Sequence, residues 1–343
     1  MQMKKIGVLL VNLGTPDGPD RGAVYRYLKE FLTDGRVIDY PWLPRNLLVR
    51  GIIAPFRSGS SAKLYERLWT PEGSPLKQYG FIVRDKLQES LGDQYHVELA
   101  MRYQTPDLPH ALDNLKKLNV SQIIVIPMFP QYASATTGSV HQRVMELVSK
   151  WQGIPEISFA NSYSADKYII QAFVENAKKY DIDSYDHFVF SFHGIPQRQL
   201  TKACHNDHCL KVDNCCQQMT DANQFCYSAQ CHQTAYAIVD QLKLDKDKYT
   251  VCFQSRLGFE DWTQPYTSDV LEHLVESGNK RVLVFSPAFV ADCLETTIEI
   301  GYEYKEEFDE AGGEALDLVE SLNDNDLWIQ SIKEMVVQRA ILA

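Results

Sequence analysis

The chain has 343 residues, 45% of them hydrophobic and 23% charged, with a formal net charge of −11, which is length enough for two compact domains with a core each. The acidic balance, and the lack of any basic stripe interleaved with aromatics, argues against nucleic acid as a partner. No apolar run approaches the ~20 residues that span a bilayer. The first run, Ile6 to Leu13, is cut by Gly14-Thr15-Pro16 before a signal-peptide cleavage site could follow, so a cytoplasmic protein is expected.

Along the chain, buried strands are predicted at Lys5 to Leu13, His96 to Arg102, Ile123 to Phe129, Glu156 to Ala160, His187 to His193, Tyr249 to Gln254, Arg281 to Ser286 and Leu316 to Ser321. Amphipathic helical patterns fall between them, among them Leu76 to Leu91, Leu108 to Leu118, Ser139 to Trp151, Ala165 to Tyr180, His232 to Leu244 and Thr267 to Ser277. Alternating strands and helices predict an α/β fold with parallel sheets covered on both faces. Four strands fall in each half. The expectation is two similar doubly wound, Rossmann-like domains, residues 1–162 and 163–322, each with a four-stranded parallel sheet, and a cleft between them. A terminal helix in 323–343 is expected to pack back on the first domain. No repeat of residues between the halves is evident.

The stretch HFVFSFHGIPQR, His187 to Arg198, delivers one imidazole, His193, to the end of an apolar strand that Gly194 and Pro196 then break. In open α/β sheets the carboxyl ends of strands are where ligands bind. A second strand end, Arg281 to Ser286, runs through a proline turn into an acidic helix. There Glu295, Glu299 and Glu303 recur every four residues, with Asp292 just before them. Like charges at that spacing cost a helix a few tenths of a kcal/mol each, so a cation or a need for protons should offset them.

Ser191-Phe192-His193-Gly194-Ile195-Pro196 together with Ala291-Asp292-Cys293-Leu294-Glu295-Thr296 resembles ferrochelatase, the family that inserts ferrous iron into a porphyrin. VNLGTP (Val11 to Pro16), GSPL (Gly73 to Leu76), MRYQTP (Met101 to Pro106), PMFPQYASATTGS (Pro127 to Ser139), FQSRLG (Phe253 to Gly258) and AGG (Ala311 to Gly313) add to the resemblance in order. It implies the chelatase-like two-domain fold, porphyrin and ferrous iron as substrates, and His193 and Glu295 as the catalytic pair that also meets the iron. Glu299 and Glu303 would form a secondary path for metal or protons. The chain has Cys293 where some ferrochelatases have a histidine, and a small packed thiol is its plain reading. Related cobalt or nickel chelatases, a porphyrin carrier without turnover and an iron–sulfur electron carrier stand as alternatives.

Residues 43–57, LPRNLLVRGIIAPFR, are apolar with Arg45, Arg50 and Arg57 interspersed. The segment resembles the lip over the ferrochelatase pocket. Arginines suit propionate carboxylates because they bind them bidentately, and an exposed lip could touch a membrane surface; an ordinary buried helix is the other reading. Ser74, Tyr132 and Trp262 match family positions near the porphyrin. Whether the chain dimerises is left open.

Six of eight cysteines crowd into residues 204–231. In a cytosolic protein such crowding favours a metal centre over disulfides. Zinc would take four ligands from Cys204, Cys209, Cys215, Cys216, Cys226, Cys231, His205 and His208, and an iron–sulfur cluster would take four thiolates. Some bacterial ferrochelatases hold a [2Fe-2S] cluster in an internal insertion. The resemblance therefore implies such a cluster here, on Cys209, Cys216, Cys226 and Cys231 with Cys215 as substitute.

Overall fold

The computed structural model describes residues 5–204, 208–258 and 260–340. The chain forms two compact units. One takes the chain to Phe129, Ser134–Asn161 and everything from Ile329; the other takes Pro130–Ala133 and Ser162–Trp328.

In the first unit β1 (Ile6–Gly14), β2 (Tyr95–Tyr103), β3 (Gln122–Pro127) and β4 (Glu156–Phe159) form a wholly parallel sheet in the order β2-β1-β3-β4. The central strands are apolar almost end to end because helices cover both faces. Leu9, Val11, Ile123 and Val125 pack against Leu112, Leu115 and Val144 from two of those helices. The terminal helix Asp326–Arg339 closes on this sheet, where the Gln122 side chain donates to the Arg339 carbonyl at 2.7 Å.

The second unit repeats the plan. Its strands β5 (His187–His193), β6 (Tyr249–Gln254), β7 (Arg281–Phe285) and β8 (Ala315–Leu318) are parallel in the order β6-β5-β7-β8. Val189, Val282 and Val284 pack against Leu271, Ile300 and Phe308, and the Phe190 and Phe285 rings stack with centroids 4.7 Å apart.

A duplication that composition conceals is visible in the backbone. β1 ends in Leu13-Gly14-Thr15-Pro16 and β5 in His193-Gly194-Ile195-Pro196. After β2 the Met101 N–H returns to the Pro106 carbonyl (2.6 Å), and after β6 the Phe253 N–H returns to the Pro265 carbonyl (2.9 Å). After β3 and after β7 the chain enters a π-helical stretch, Ser134–Gly138 and Leu294–Tyr304, with a Thr-Thr pair at the same place in each. Both strand-end glycines are needed because a partner strand's backbone comes close. A Cβ on Gly14 would lie 2.1 Å from the Tyr103 carbonyl oxygen, and one on Gly194 would lie 3.0 Å from that of Gln254.

The acidic row was expected on an α-helix and instead winds as a π-helix over Leu294–Tyr304. The Glu295 carbonyl accepts from outside this helix, where the Gln254 side chain donates to it at 2.8 Å. The expected lip is helical throughout, with the helices Trp42–Leu48 and Ala54–Leu68 joined by the π-helical turn Val49–Ile53. Among the described residues no helix is long and apolar enough to cross a membrane.

Candidate active site

His193 is the last residue of β5, and its register partner on β6 is Gln254. Its ring Nδ1 lies 2.6 Å from the Gly194 carbonyl oxygen. A carbonyl can only accept, so Nδ1 carries a proton in this contact, which in the neutral ring places the lone pair on Nε2. The peptide unit between His193 and Gly194 is held at both ends. Its carbonyl accepts from the Tyr227 hydroxyl at 2.8 Å, and its N–H donates to the Gln254 carbonyl at 2.8 Å.

Trp262 is fastened to the same loop. Its carbonyl accepts from the Gln197 side chain (3.1 Å), and the Thr263 N–H beside it donates to the Ile195 carbonyl (2.9 Å). The Trp262 and Phe289 rings each stand 6.4 Å from the imidazole, centroid to centroid. Among the described residues the buried indole N–H of Trp262 has no hydrogen-bond partner.

Gln254 joins the histidine loop to the acidic row. Its amide oxygen accepts from the buried Ser191 hydroxyl at 2.7 Å, and its amide nitrogen donates both to the Glu295 carbonyl and to the Glu299 carboxylate, the latter at 2.9 Å. Glu299 also accepts from the Ser255 hydroxyl (2.5 Å) and the Tyr304 hydroxyl (3.2 Å). All three partners are neutral. Burial and the Glu299 charge push the Tyr304 phenol far up, which keeps it a donor.

Cys293 is buried at the start of the π-helix, and burial together with the neighbouring Glu295 charge pushes its thiol well up. This is the plain packed thiol expected from sequence. Asp292 pairs with the Asn323 side chain, which donates to it at 2.9 Å. Glu303 stands half-buried on the same helix.

Other expected binders are scattered. Tyr132 belongs to the second unit, where its N–H donates to the Gln230 side chain (2.7 Å) and its ring meets Phe225 with centroids 5.6 Å apart. Ser74 and the arginines lie in the first unit. Ser74 is buried, with its hydroxyl donating to that of Thr15 at 3.2 Å. The Arg45 guanidinium holds the Tyr40 carbonyl at 2.8 Å, whereas Arg50 and Arg57 are exposed. Trp42 and Phe56 are 68% and 80% exposed, and Leu43, Leu47 and Ile52 are exposed beside them.

The cysteine-rich segment gathers its thiols. Cys209 contacts Cys204 and Cys226; Cys216 contacts Cys226 and Cys215, with the last two sulfurs 3.6 Å apart. Backbone N–H groups of His208 and Cys209 point at the Cys204 sulfur, each at 3.2 Å, and that of Leu210 at the Cys215 sulfur at 3.3 Å. Burial, then the Cys204 contact, pushes the Cys209 thiol up to about 12. Cys231, also among the expected ligands, stands apart. It is buried against the Tyr227 hydroxyl, outside this chain of sulfur contacts, and its tie to the others is an electrostatic one to Cys216.

Among the described residues no three His, Cys, Asp or Glu side chains form a closed metal-binding group. Two features of the donor set suit thiolate ligation, neighbouring sulfurs and N–H groups aimed at sulfur, although the Ser228 hydroxyl also reaches Cys216. His205, one of the candidate zinc ligands, lies outside the described residues.

Sequence reasoning named the histidine and the carboxylates and missed what holds them. Gln254 and Ser255 sit inside a motif quoted only for resemblance. Tyr304 and Tyr227 carried no signal.

A family model described as Ferrochelatase matches residues 5–340. A ferrochelatase of Legionella pneumophila (strain Paris) is 43% identical over 330 residues, covering 96% of this chain and 98% of that protein. A ferrochelatase of Coxiella burnetii (strain Dugway 5J108-111) is 41% identical over 336 residues, covering 96% and 93%. In fold the chain is similar to the sirohydrochlorin chelatase SirB from Bacillus subtilis subspecies spizizenii in complex with cobalt, with a TM-score of 0.55 at 11% identity over 97% of this chain and 94% of that one. It is similar also to CbiX, the terminal enzyme of sirohaem biosynthesis in denitrifying bacteria, with a TM-score of 0.51 at 12% identity over 98% and 100%. With the family model matching nearly end to end and the curated relatives above 40% identity, the chain belongs to the ferrochelatase family, the porphyrin metal chelatases that insert ferrous iron into protoporphyrin to make haem.

Proposed function

We propose that His193 Nε2 is the acceptor of pyrrole protons and that Glu295 is the carboxylate working with it. Insertion of Fe2+ into the macrocycle displaces two N–H protons, so a catalyst must accept protons and receive a partly desolvated cation. Imidazole, with an unperturbed pKa of about 6.5, suits the first task. The observation that supports the assignment is the Nδ1 contact with the Gly194 carbonyl, which selects the tautomer of the neutral ring whose lone pair is on Nε2. Glu299 and Glu303 continue from Glu295 as a path for metal or protons. Glu299 suits that role because its donors are neutral and leave its charge uncompensated.

Trp262, with its buried indole N–H unpartnered among the described residues, and Tyr132 line the porphyrin site in this reading. The exposed apolar residues of the lip cover the macrocycle's edge, with Arg50 and Arg57 offered to its carboxylates and the same face able to rest on lipid. Arg45 is better described as a brace, since its guanidinium already holds backbone carbonyls.

The thiol nest would hold a [2Fe-2S] cluster, with Cys226 central because it touches both Cys209 and Cys216. The cluster would supply cross-linking and redox sensitivity to the segment. Cys226→Ser should lose bound iron and sulfide, whereas Cys231→Ser should keep them; the reverse pattern would reject this ligand reading.

The assignment of His193 is tested with protoporphyrin and ferrous iron under anaerobic conditions. His193→Gln should bind protoporphyrin as tightly as the wild type, by quenching of its fluorescence, and form haem about 10³-fold more slowly, within the range lost with a general base. Near-normal haem formation would remove His193 from the mechanism.

A further inference from the structure

We infer that Tyr227 is a positioning residue for His193, and that through it the cysteine-rich segment sets the geometry of the strand end. The inference rests on His193 being the proton acceptor. The Tyr227 hydroxyl holds the carbonyl of the His193–Gly194 peptide unit, and the Gln254 carbonyl holds its N–H. One residue further on, the Gly194 carbonyl accepts from Nδ1 and so orients the ring. Loss of the hydroxyl lets that peptide unit rotate and carry the Nδ1 acceptor with it.

Tyr227 opens the helix Tyr227–Leu242 directly after Cys226, so its place is set by the cysteine segment. The Cys226 N–H donates to the carbonyl of Asn223 at 2.8 Å. Asn223 is itself buried, and its side chain donates to the Cys215 and Gln218 carbonyls, each at 2.8 Å. The same helical turn reaches a second part of the site. Gln230 accepts from the Tyr132 N–H while donating to the Gln224 carbonyl at 2.7 Å, and Phe225 packs on the Tyr132 ring. Cys231 lies against the Tyr227 hydroxyl on its other side. A tyrosine that merely filled space would need none of these bonds to the strand end.

Tyr227→Phe keeps the ring and deletes the hydroxyl. The expected result is a roughly tenfold fall in kcat with KM for protoporphyrin unchanged, the scale of cost for a displaced catalytic group. The pH–rate profile should also move, and no further loss should appear in a His193→Gln background. In 15N spectra of the neutral ring, the His193 proton should no longer be confined to Nδ1. A lowered Tm with kcat, pH profile and histidine spectrum unchanged would overturn the positioning role.

Cys226→Ser tests the coupling without touching His193. Altered His193 ring signals support it, and signals identical to wild type reject it even where the phenylalanine variant is too unstable to assay. An active His193→Gln would instead fail the acceptor assignment itself. An inactive one beside a wild-type-like Tyr227→Phe would fail this inference alone.

Discussion

In the first unit the turn Leu13-Gly14-Thr15-Pro16 closes an apolar strand with another apolar residue, whereas in the second the turn His193-Gly194-Ile195-Pro196 puts an imidazole at that place. The contrast extends to the neighbouring strands. The second residue of the π-helical stretch is Ala135 in one unit and Glu295 in the other; the sixth position is Ser139 in one and Glu299 in the other. Gln254 pairs alongside His193, while Arg102 falls between Met101 and Tyr103, the register partners of Asn12 and Gly14.

The outcome in the first unit is a closed ion pair. The Arg102 guanidinium meets Asp34 at 2.6 Å, and the Ser139 and Tyr103 hydroxyls donate to the same carboxylate oxygen at 2.6 and 2.9 Å. In the second unit the donors that the carboxylate of Glu299 meets among the described residues, Gln254, Ser255 and Tyr304, are neutral. In the proposed reading, one backbone plan serves for stability where its charges cancel and for chemistry where they are left open.

Each pair of equivalent positions offers a way to break this contrast. Glu295→Gln should slow haem formation by about 10²-fold, while Ala135→Ser should leave the rate per folded molecule unchanged; equal losses would erase the distinction. Glu299→Gln should cost about tenfold in kcat, as expected for a group outside the reacting pair. Ser139→Ala should lower Tm and leave kcat alone, which steady-state assays and thermal melts would separate.

Asp34→Asn tests the closed half by stability. Burial alone would raise the Asp34 pKa, but the Arg36 N–H, Ser139, the Arg102 charge and Tyr103 together hold it below the usual carboxylate range. The unfolded chain then binds the proton more tightly than the folded one, so stability rises with pH across this window. The contribution is complete above the ordinary carboxylate pKa and is lost as pH falls through the depressed folded value. Removing one partner of this pair should cost about 3 kcal/mol at neutral pH, and urea midpoints of wild type and variant should converge in acid. Parallel midpoints across pH would contradict the pairing. The smallest effect is expected from Tyr304→Phe, where loss of one hydrogen bond to Glu299 should reduce kcat about threefold.

The candidate site stood out in the sequence because its residues break local rules. A histidine ending an apolar strand, carboxylates repeated every four residues and crowded cysteines each run against what packing alone would select. The strands and their parallel arrangement were legible for the opposite reason, since alternating buried runs and amphipathic helices admit few arrangements. The π-helical winding was not, because spacing by four reads the same on either helix. Nor was Gln254, whose contacts depend on strand register and on a carbonyl of another element that only the fold brings near. The duplication stayed hidden because buried strands need only apolar residues of the right size. Little beyond the Gly-x-Pro turns and the paired threonines had to be kept.

The most direct measurement is single-turnover haem formation in His193→Ala with imidazole added back, beside Leu13→Ala as its counterpart. The account predicts a loss of about 10³-fold in the histidine variant, with the rate restored in proportion to the free-base imidazole supplied, and an unchanged rate in the leucine variant. Insertion by His193→Ala within tenfold of wild type, or an equal loss in both variants, would contradict it.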